Sequence, residues 1–250
     1  MKGEPSLEMR LAQREAKVGA TPVMYQRWSE LLFLHWRIDA ETIQESLPRG
    51  LTVDLFDGGA WIGLVPFRMS RIRPRGLPAV PWLSAFPEMN VRTYVIDGQG
   101  RPGVWFYSLD AARWLAVQFA RRAFHLPYFH AAMSVKREPE SGWIDYHSRR
   151  FEGRAEAAFR YRGVGETQTA EPGTLEFFLV ERYLLLAHDP GRDLLRGGYV
   201  AHPPYQFQSA EVTAFDPSPI AAAGLPTSTN DPDHVAFVES VDVSIFSLER

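Results

Sequence analysis

Runs of alternating or continuous apolar residues follow one another along most of the chain, with short turn signals between them. Such runs are typical of half-buried and buried strands. They lack the strand–helix–strand alternation of a parallel sheet, so the pattern predicts a mainly β (α+β) protein, built as one closed antiparallel barrel or sandwich with few helices. The ten or so predicted strands are 28–37, 51–56, 60–69, 88–96, 104–108, 131–135, 143–148, 155–162, 174–186, 206–215 and 234–246.

Helical signals are few. Ser6 precedes a short charged stretch, which predicts a short helix or a loose arm over residues 1–21, ahead of a single domain over 22–250. Asp39 is placed to cap a second short helix. The main helix is predicted over about 110–124, opened by Asp110, and its apolar side is expected to face the core. That side consists of Trp114, Leu115, Val117, Phe119 and Phe124.

Two connections have strong composition signals. Asp57-Gly58-Gly59 predicts a hairpin between the strands 51–56 and 60–69. Residues 70–87 carry four prolines and no hydrophobic period, so we expect a long loop that crosses the surface or covers a cavity.

Composition excludes several classes of function. The formal net charge of -3 gives no pull toward nucleic acid, and the chain has no cysteine for disulfides or thiolate chemistry. No apolar run is long enough to span a membrane, and the first residues lack the apolar region of an export signal, so a cytoplasmic location is predicted. The glycines of GQGRPG lead into a strand rather than a helix, which argues against a nucleotide site. No metal or cofactor is predicted.

The most site-like stretch is residues 88–130, which contains no lysine. Strand alternation places Glu88, Asn90, Arg92 and Tyr94 on one face of their strand. This face is either a solvated outer surface or the polar lining of a pocket, in which Arg92 would grip a carboxylate.

Two further groups of polar residues follow. Tyr128 and His130, in the turn after the main helix, are further candidates for the pocket. In the predicted strand 174–186, Glu181 and Tyr183 share one face and Arg182 lies on the other, which predicts ion pairing or a cavity.

Several segments occur together and in order, and together they resemble the YqjF-like family of uncharacterised bacterial proteins over about residues 22–215. That family is similar in fold to the acetoacetate decarboxylases. The resemblance implies a closed antiparallel barrel with a small-molecule cavity. The segments are WSELLFLHW, ESLPRGL, FDGGAWIGLVPFRM, EMNVRTYV, GVWFYSLDA, AFHLPY and LVERYLLL.

The same resemblance argues against decarboxylase chemistry. Tyr128 and Phe129 stand where the reactive lysines of the decarboxylases are expected, whereas the acid before the middle strand maps onto Glu88. The pocket arginine maps near Ser29, and the other acid falls near Gly63 or Leu64. A Schiff base requires a primary amine, which arginine cannot replace. Lys136, six or more positions too late, is the only lysine after residue 17, so imine chemistry is rejected.

Three hypotheses remain. The first is a small-molecule pocket, for a ligand such as a carboxylate, with Glu88 or His130 as acid or base in lysine-independent lyase, isomerase or hydrolase chemistry. The second is a non-catalytic binding or sensing protein that uses the same cavity. The third is a protein-interaction module. The sequence leaves the oligomeric state open. The ligand-binding residues expected beside Glu88 and His130 are Asn90, Arg92, Tyr94 and Tyr128.

Overall fold

The computed structural model describes residues 5–80, 84–153, 155–227 and 230–249. These residues form five helices and twelve strands. The helices are α1 (Leu7–Glu15), α2 (Ala40–Ser46), α3 (Trp114–Phe124), α4 (Leu175–Val180) and α5 (Ser218–Ala222). The strands are β1 (Met24–Ile38), β2 (Thr52–Val53), β3 (Ala60–Pro74), β4 (Phe86–Ile96), β5 (Pro102–Ala111), β6 (Tyr128–Arg137), β7 (Ile144–Arg150), β8 (Glu156–Gln168), β9 (Leu184–Asp189), β10 (Leu194–Ala201), β11 (Phe207–Ala214) and β12 (His234–Glu249).

All the described strands belong to one sheet in the order β10-β9-β5-β6-β7-β8-β11-β12-β1-β3-β4-β2, with additional β10–β12 and β4–β5 pairings. Strands β4, β5 and β12 therefore each pair with three neighbours, and the sheet turns back on itself in a barrel-like arrangement. The predicted mainly β architecture is confirmed. Most strand pairs are antiparallel, as predicted, and β5 runs parallel to β6 and β9.

The two capped helices form where the sequence predicts them. The hydroxyl of Ser6 accepts a hydrogen bond from the backbone N–H of Met9, and the carboxylate of Asp39 accepts one from Thr42. In both cases the side-chain oxygen satisfies a backbone donor that the first helical turn leaves without a partner. No helix among the described residues is long and apolar enough to cross a membrane.

The predicted hairpin is wrong. The turn at residues 57–59 is present, but only an isolated bridge joins Phe56 to Gly59. Strand β2 pairs instead with the end of β4, through Thr52 with Ile96 and Val53 with Val95. The turn residues therefore specify a local bend, and the strand before the turn pairs with β4 rather than with β3.

The predicted loop over 70–87 is too long. Strand β3 continues to Pro74 because its last residues pair with the start of β1, and β4 already begins at Phe86. Proline is tolerated at this position because it ends the strand. Residues 81–83 of the predicted loop lie outside the described residues.

The main helix begins later than predicted, at Trp114. Asp110 belongs to β5, and its buried carboxylate accepts a hydrogen bond from Arg150 Nε at 2.8 Å. Within the predicted apolar side of the helix only Val117 is fully buried, and Phe124 is half-buried. Trp114, Leu115 and Phe119 are 55%, 52% and 55% exposed, so the prediction that they face the core is wrong. No described element covers that side of α3.

The predicted strand over 174–186 is also wrong in its first half. Thr174 caps α4 by accepting a hydrogen bond from the backbone N–H of Phe177, and the strand β9 begins only at Leu184. A short continuous apolar run such as LEFFLV fits a buried helix as well as a buried strand. The side chains of Phe177, Phe178, Leu179 and Val180 pack into the main core cluster.

Candidate functional site

The strand β4 is buried on both faces. Every residue from Glu88 to Ile96 is buried, so the interpretation of a solvated outer face is wrong. Met89 and Val91 pack into one core cluster, whereas Tyr94 packs into the other, together with the residues of α4. The polar residues Glu88, Asn90 and Arg92 therefore lie inside the protein, on the same face as Tyr94.

Strand register brings the second group of predicted residues to the same face. Glu88 pairs with Ala111 of β5, which pairs with His130 of β6. In the next row, Asn90 pairs with Leu109, which pairs with Tyr128. Directly paired residues point to the same side of a sheet. We use the name polar face for Glu88, Asn90, Arg92, Tyr94, Tyr128 and His130.

Glu88 is held inside the protein by a tyrosine. Its side chain is only 3% exposed, and the hydroxyl of Tyr128 donates a hydrogen bond to Glu88 Oε2 at 3.0 Å. Burial raises the pKa of Glu88 to about 8; the Tyr128 hydrogen bond opposes this rise and the nearby Asp110 adds to it. Glu88 therefore keeps its proton at neutral pH and is available as an acid.

Arg92 differs from the other buried arginines. Three arginines are buried among the described residues, and two of them have a carboxylate partner, Arg150 with Asp110 and Arg182 with Asp54. The guanidinium of Arg92 pairs with no described acid. It donates to the backbone oxygen of Leu179 at 3.0 Å and lies 5.3 Å from the ring centre of Phe33. A buried cation without a counter-ion is unfavourable, so this position is suited to an anion.

Three of the buried side-chain atoms without a hydrogen-bond partner belong to residues of β3 and β4. They are Arg92 Nε itself, Asn90 Oδ1 and Trp61 Nε1, each buried. Asn90 and Arg92 belong to the polar face, and Trp61 packs in the same core cluster as Tyr94. Buried polar groups in folded proteins are nearly always hydrogen-bonded, so the unpaired atoms of Asn90 and Arg92 fit a polar ligand.

Tyr94 connects Arg92 to a histidine that sequence reasoning missed. Its hydroxyl donates to the backbone oxygen of Leu179 at 2.8 Å and lies 2.7 Å from Nε2 of His35. Burial raises the pKa of Tyr94 and lowers that of His35, which is fully buried. The signal in the sequence was one imidazole within the apolar run LLFLHW of β1.

His130 and Tyr128 contribute differently to the polar face. Burial raises the pKa of Tyr128 well above its usual value, and Glu88 adds to the rise. His130 is half-buried and stacks on the ring of Phe151 with the ring centres 4.5 Å apart. Phe151 is 61% exposed, so His130 lies at the rim. The structure brings Glu88 and Tyr128 together and leaves His130 at the edge.

The acidic and basic residues after α4 form a separate cluster. Arg182 donates to Asp54 Oδ2 at 2.8 Å, and the same carboxylate accepts two hydrogen bonds of 2.6 Å from Arg10 of α1. The carboxylate of Glu181 accepts hydrogen bonds from the hydroxyl of Tyr183 and from the backbone N–H of Tyr205. These groups are paired with each other and attach α1 to the sheet.

No lysine belongs to the polar face in the part of the chain that the structure describes. Lys136 is exposed on β6, and Lys17 pairs with Glu249. Lys2 lies outside the described residues. Within the described ranges, no group of three or more histidine, aspartate or glutamate side chains is arranged to hold a metal ion.

Solved structures of low sequence identity share the fold. The enzyme MppR of enduracididine biosynthesis, in complex with pyruvate, aligns with a TM-score of 0.62 at 15% identity, covering 92% of this chain and 90% of that one. An acetoacetate decarboxylase-like enzyme from Sphingomonas wittichii RW1 aligns with a TM-score of 0.59 at 15% identity, over 92% and 94% of the two chains. Acetoacetate decarboxylase from Legionella pneumophila aligns at 0.58 and 12% identity, over 92% and 88%. The resemblance to the acetoacetate decarboxylase fold is confirmed.

Sequence comparison gives a narrower relationship. The protein YqjF of Bacillus subtilis (strain 168), described as uncharacterized, is 40% identical over 230 residues, which cover 91% of this chain and 92% of YqjF. A family model described as an uncharacterized conserved protein, DUF2071, matches residues 25–242. The expected YqjF-like relationship is therefore confirmed, and the chain belongs to the DUF2071 family of uncharacterized conserved proteins.

Proposed function

We propose that the protein binds a small carboxylate at Arg92 and moves a proton at a carbon next to the ligand's carbonyl group through Glu88, without a Schiff base. The observation that carries the proposal is the buried guanidinium of Arg92, which has no carboxylate partner among the described residues, on the same face as the carboxyl of Glu88. This is lyase or isomerase chemistry that depends on acid–base transfer alone.

The anion requirement follows from electrostatics. Arginine stays protonated at every accessible pH, so its charge cannot be removed by losing a proton. Arg92 is 8% exposed, and its Nε is buried without a partner. A ligand carboxylate would supply the missing counter-ion and accept that hydrogen bond. The unpaired oxygen of Asn90 would accept a hydrogen bond from a hydroxyl or hydrated group of the same ligand.

Glu88 is suited to both directions of proton transfer. A group with a pKa of about 8 is mostly protonated at neutral pH, and a minority of molecules carry the carboxylate that acts as a base. The carboxylate would take a proton from the carbon next to the carbonyl group, which leaves an enolate, and the resulting acid would return that proton. The hydroxyl of Tyr128 stabilises the ionised form through its hydrogen bond to Oε2.

Structural neighbours support the ligand class. MppR is described in complex with pyruvate, and also with the condensation product of pyruvate and imidazole 4-carboxaldehyde. The same fold therefore accommodates a small 2-oxo acid in another protein. Pyruvate is accordingly the first probe for this chain.

The binding step is tested by the variant Arg92→Gln. Pyruvate at 100 times its dissociation constant is expected to stabilise the wild-type protein by about 2.7 kcal/mol, measured as a shift in Tm. Arg92→Gln removes the charge and is expected to abolish the shift. The control is Arg192→Gln, since Arg192 is an exposed cation whose side chain is 69% accessible. An unchanged pyruvate shift in Arg92→Gln contradicts the proposed anion site.

The chemical step is tested by hydrogen exchange. In D₂O the wild-type protein is expected to exchange the methyl protons of pyruvate for deuterium, followed by NMR. Glu88→Gln is expected to slow the exchange by about 100-fold or more, because general acid–base catalysis contributes factors of this size. Pyruvate binding without exchange in the wild type identifies a binding protein instead. Covalent labelling of Lys136 after borohydride reduction would restore the imine mechanism.

A further inference from the structure

A row of basic side chains crosses four strands on the face that carries Arg92. His234 of β12 pairs with His35 of β1, His35 pairs with Gly63 of β3, and Gly63 pairs with Arg92 of β4. A side chain at Gly63 would crowd its neighbours, because its Cβ would lie 3.0 Å from the ring of His35 and 3.3 Å from Arg92 Cγ. Because Gly63 has no side chain, the imidazole of His35 and the aliphatic part of the Arg92 side chain can both pack above β3.

Hydrogen bonds define the protonation of the two histidines. Nδ1 of His35 lies 2.9 Å from Nδ1 of His234, and Nε2 of His35 lies 2.7 Å from the hydroxyl of Tyr94. We assign the Tyr94 hydroxyl proton to its hydrogen bond with the backbone oxygen of Leu179, so that the hydroxyl oxygen accepts from His35 Nε2–H. His35 Nδ1 is then an acceptor, and His234 Nδ1–H is the donor. Both rings are neutral in this arrangement, assigned from the hydrogen-bond pattern.

One more proton can be added without breaking any of these bonds. Protonation at Nε2 of His234 leaves Nδ1–H in place as the donor to His35, whereas protonation of His35 would break its acceptor contact. His234 is half-buried at the start of β12, whereas His35 is fully buried. The additional proton therefore belongs on His234.

Burial opposes that proton in the ligand-free protein. Burial lowers the pKa of His35, and His234 and Arg92 lower it further; burial also lowers the pKa of His234, against an opposite effect of Glu176. Like charges in a buried region repel strongly, and Arg92 carries the permanent charge. The charged or titratable groups packed around the pair are Arg92 and Tyr94 of β4, Glu176 of α4, Arg182 stacked on Tyr94, and Tyr205 on the ring of Phe33.

We propose that the His35–His234 pair takes up a proton when an anion binds at Arg92, so that the site binds a carboxylate together with a proton. This inference rests on the proposed function. Burial keeps the pair neutral in the absence of a ligand, and Arg92 repels a proton on His35. The ligand's negative charge cancels the charge of Arg92 and attracts a proton to the pair. The protonated pair then adds a second positive charge to the same row, which strengthens the hold on the anion.

The sign of the pH dependence follows from linkage. A site that takes up one proton with its ligand binds up to tenfold more tightly for each unit that the pH falls, between the pKa of the pair with ligand and that without. Glu88 does not contribute below pH 7, because its pKa of about 8 keeps it protonated with and without ligand. Pyruvate affinity is therefore expected to rise as the pH falls from 7 to 5.5.

The experiment is isothermal titration calorimetry of pyruvate in buffers with different ionisation enthalpies. The wild type is expected to take up a proton with pyruvate at pH 6, at most one per site, and the uncharged methyl ester of pyruvate is expected to cause no uptake. His234→Gln keeps a donor to His35 but cannot bind the proton, so its pyruvate affinity should be independent of pH. The control His147→Gln changes an exposed histidine of β7 and should behave as the wild type does.

Failure of the proton coupling can be distinguished from failure of the proposed function. Pyruvate binding with no proton uptake and with the same affinity at pH 5.5 and 7 overturns the proton coupling and leaves the proposed function intact. Absence of pyruvate binding contradicts the proposed function, and a ligand-free measurement then decides the coupling. In Arg92→Gln, NMR titration should show the apparent pKa of the His35–His234 pair raised relative to the wild type, and an unchanged value overturns the inference.

Discussion

Glu88→Gln is expected to make the protein markedly more stable than the wild type at pH 9, with a much smaller effect at pH 4.5. Glu88 is buried, and its pKa is raised from 4.5 to about 8 in the folded state. Its stabilising contribution is fully present below pH 4.5 and is lost as the pH rises to about 8. The shift corresponds to a loss on the order of 4 to 5 kcal/mol, which glutamine avoids because it does not ionise.

Urea denaturation at pH 4.5 and 9 measures this difference. The free energy of unfolding of Glu88→Gln minus that of the wild type should increase by several kcal/mol from pH 4.5 to pH 9. Glu152→Gln changes an exposed glutamate and should leave the pH dependence of the wild type unchanged. If the stability difference between Glu88→Gln and the wild type is equal at both pH values, the pKa of Glu88 is the same in the folded and the unfolded protein. Glu88 would then be ionised at neutral pH, and its role as an acid would be withdrawn.

Asp54→Asn is expected to destabilise the protein by about 3 to 5 kcal/mol, because it leaves buried arginine without a counter-ion. The Asp54 side chain is fully buried, and the Arg182 side chain is only 4% exposed. Burial lowers the pKa of Arg182 to about 10, and the charge of Asp54 opposes this effect. The same substitution weakens the attachment of α1, since the carboxylate also pairs with Arg10.

Chemical denaturation of Asp54→Asn and of a matched control measures that loss. The control is Asp242→Asn, in which the side chains of the pair Arg27–Asp242 are 34% and 68% exposed. Exposed ion pairs contribute between 0 and about 1 kcal/mol, so this change should have little effect. Similar losses in both variants would contradict the assignment of Asp54 as the counter-ion of Arg182.

The three buried arginines of the described residues differ in whether they have a carboxylate partner. Arg150 and Arg182 each have a buried carboxylate within 3 Å, and Arg182 shares Asp54 with Arg10. Arg92 is buried to a similar extent, and its described hydrogen-bond partners are the backbone oxygen of Leu179 and the hydroxyl of Tyr94. Both proposals, the binding of a carboxylate and the proton uptake by the histidine pair, depend on the unbalanced charge of Arg92.

Some expectations failed because local sequence does not specify which elements meet. The run LEFFLV is apolar throughout, so its periodicity cannot distinguish a buried helix from a buried strand. Trp114 and Phe119 show helical spacing, but spacing does not say whether another element covers that side of α3. Asp110 fits a helix cap by residue type, and its actual role depends on Arg150, which lies forty positions away.

The sequence by itself determined the mainly β architecture, both N-terminal helix caps, the common face of Glu88, Asn90, Arg92 and Tyr94, and the lack of a lysine near them. These are consequences of two-residue periodicity, capping chemistry and residue type, which are local properties. Only the tertiary structure decided that this face is buried, that Tyr128 bonds to Glu88, and that His35 and His234 lie in register with Arg92. Those relationships depend on strand pairing between distant segments, which is set by the packing of the whole sheet.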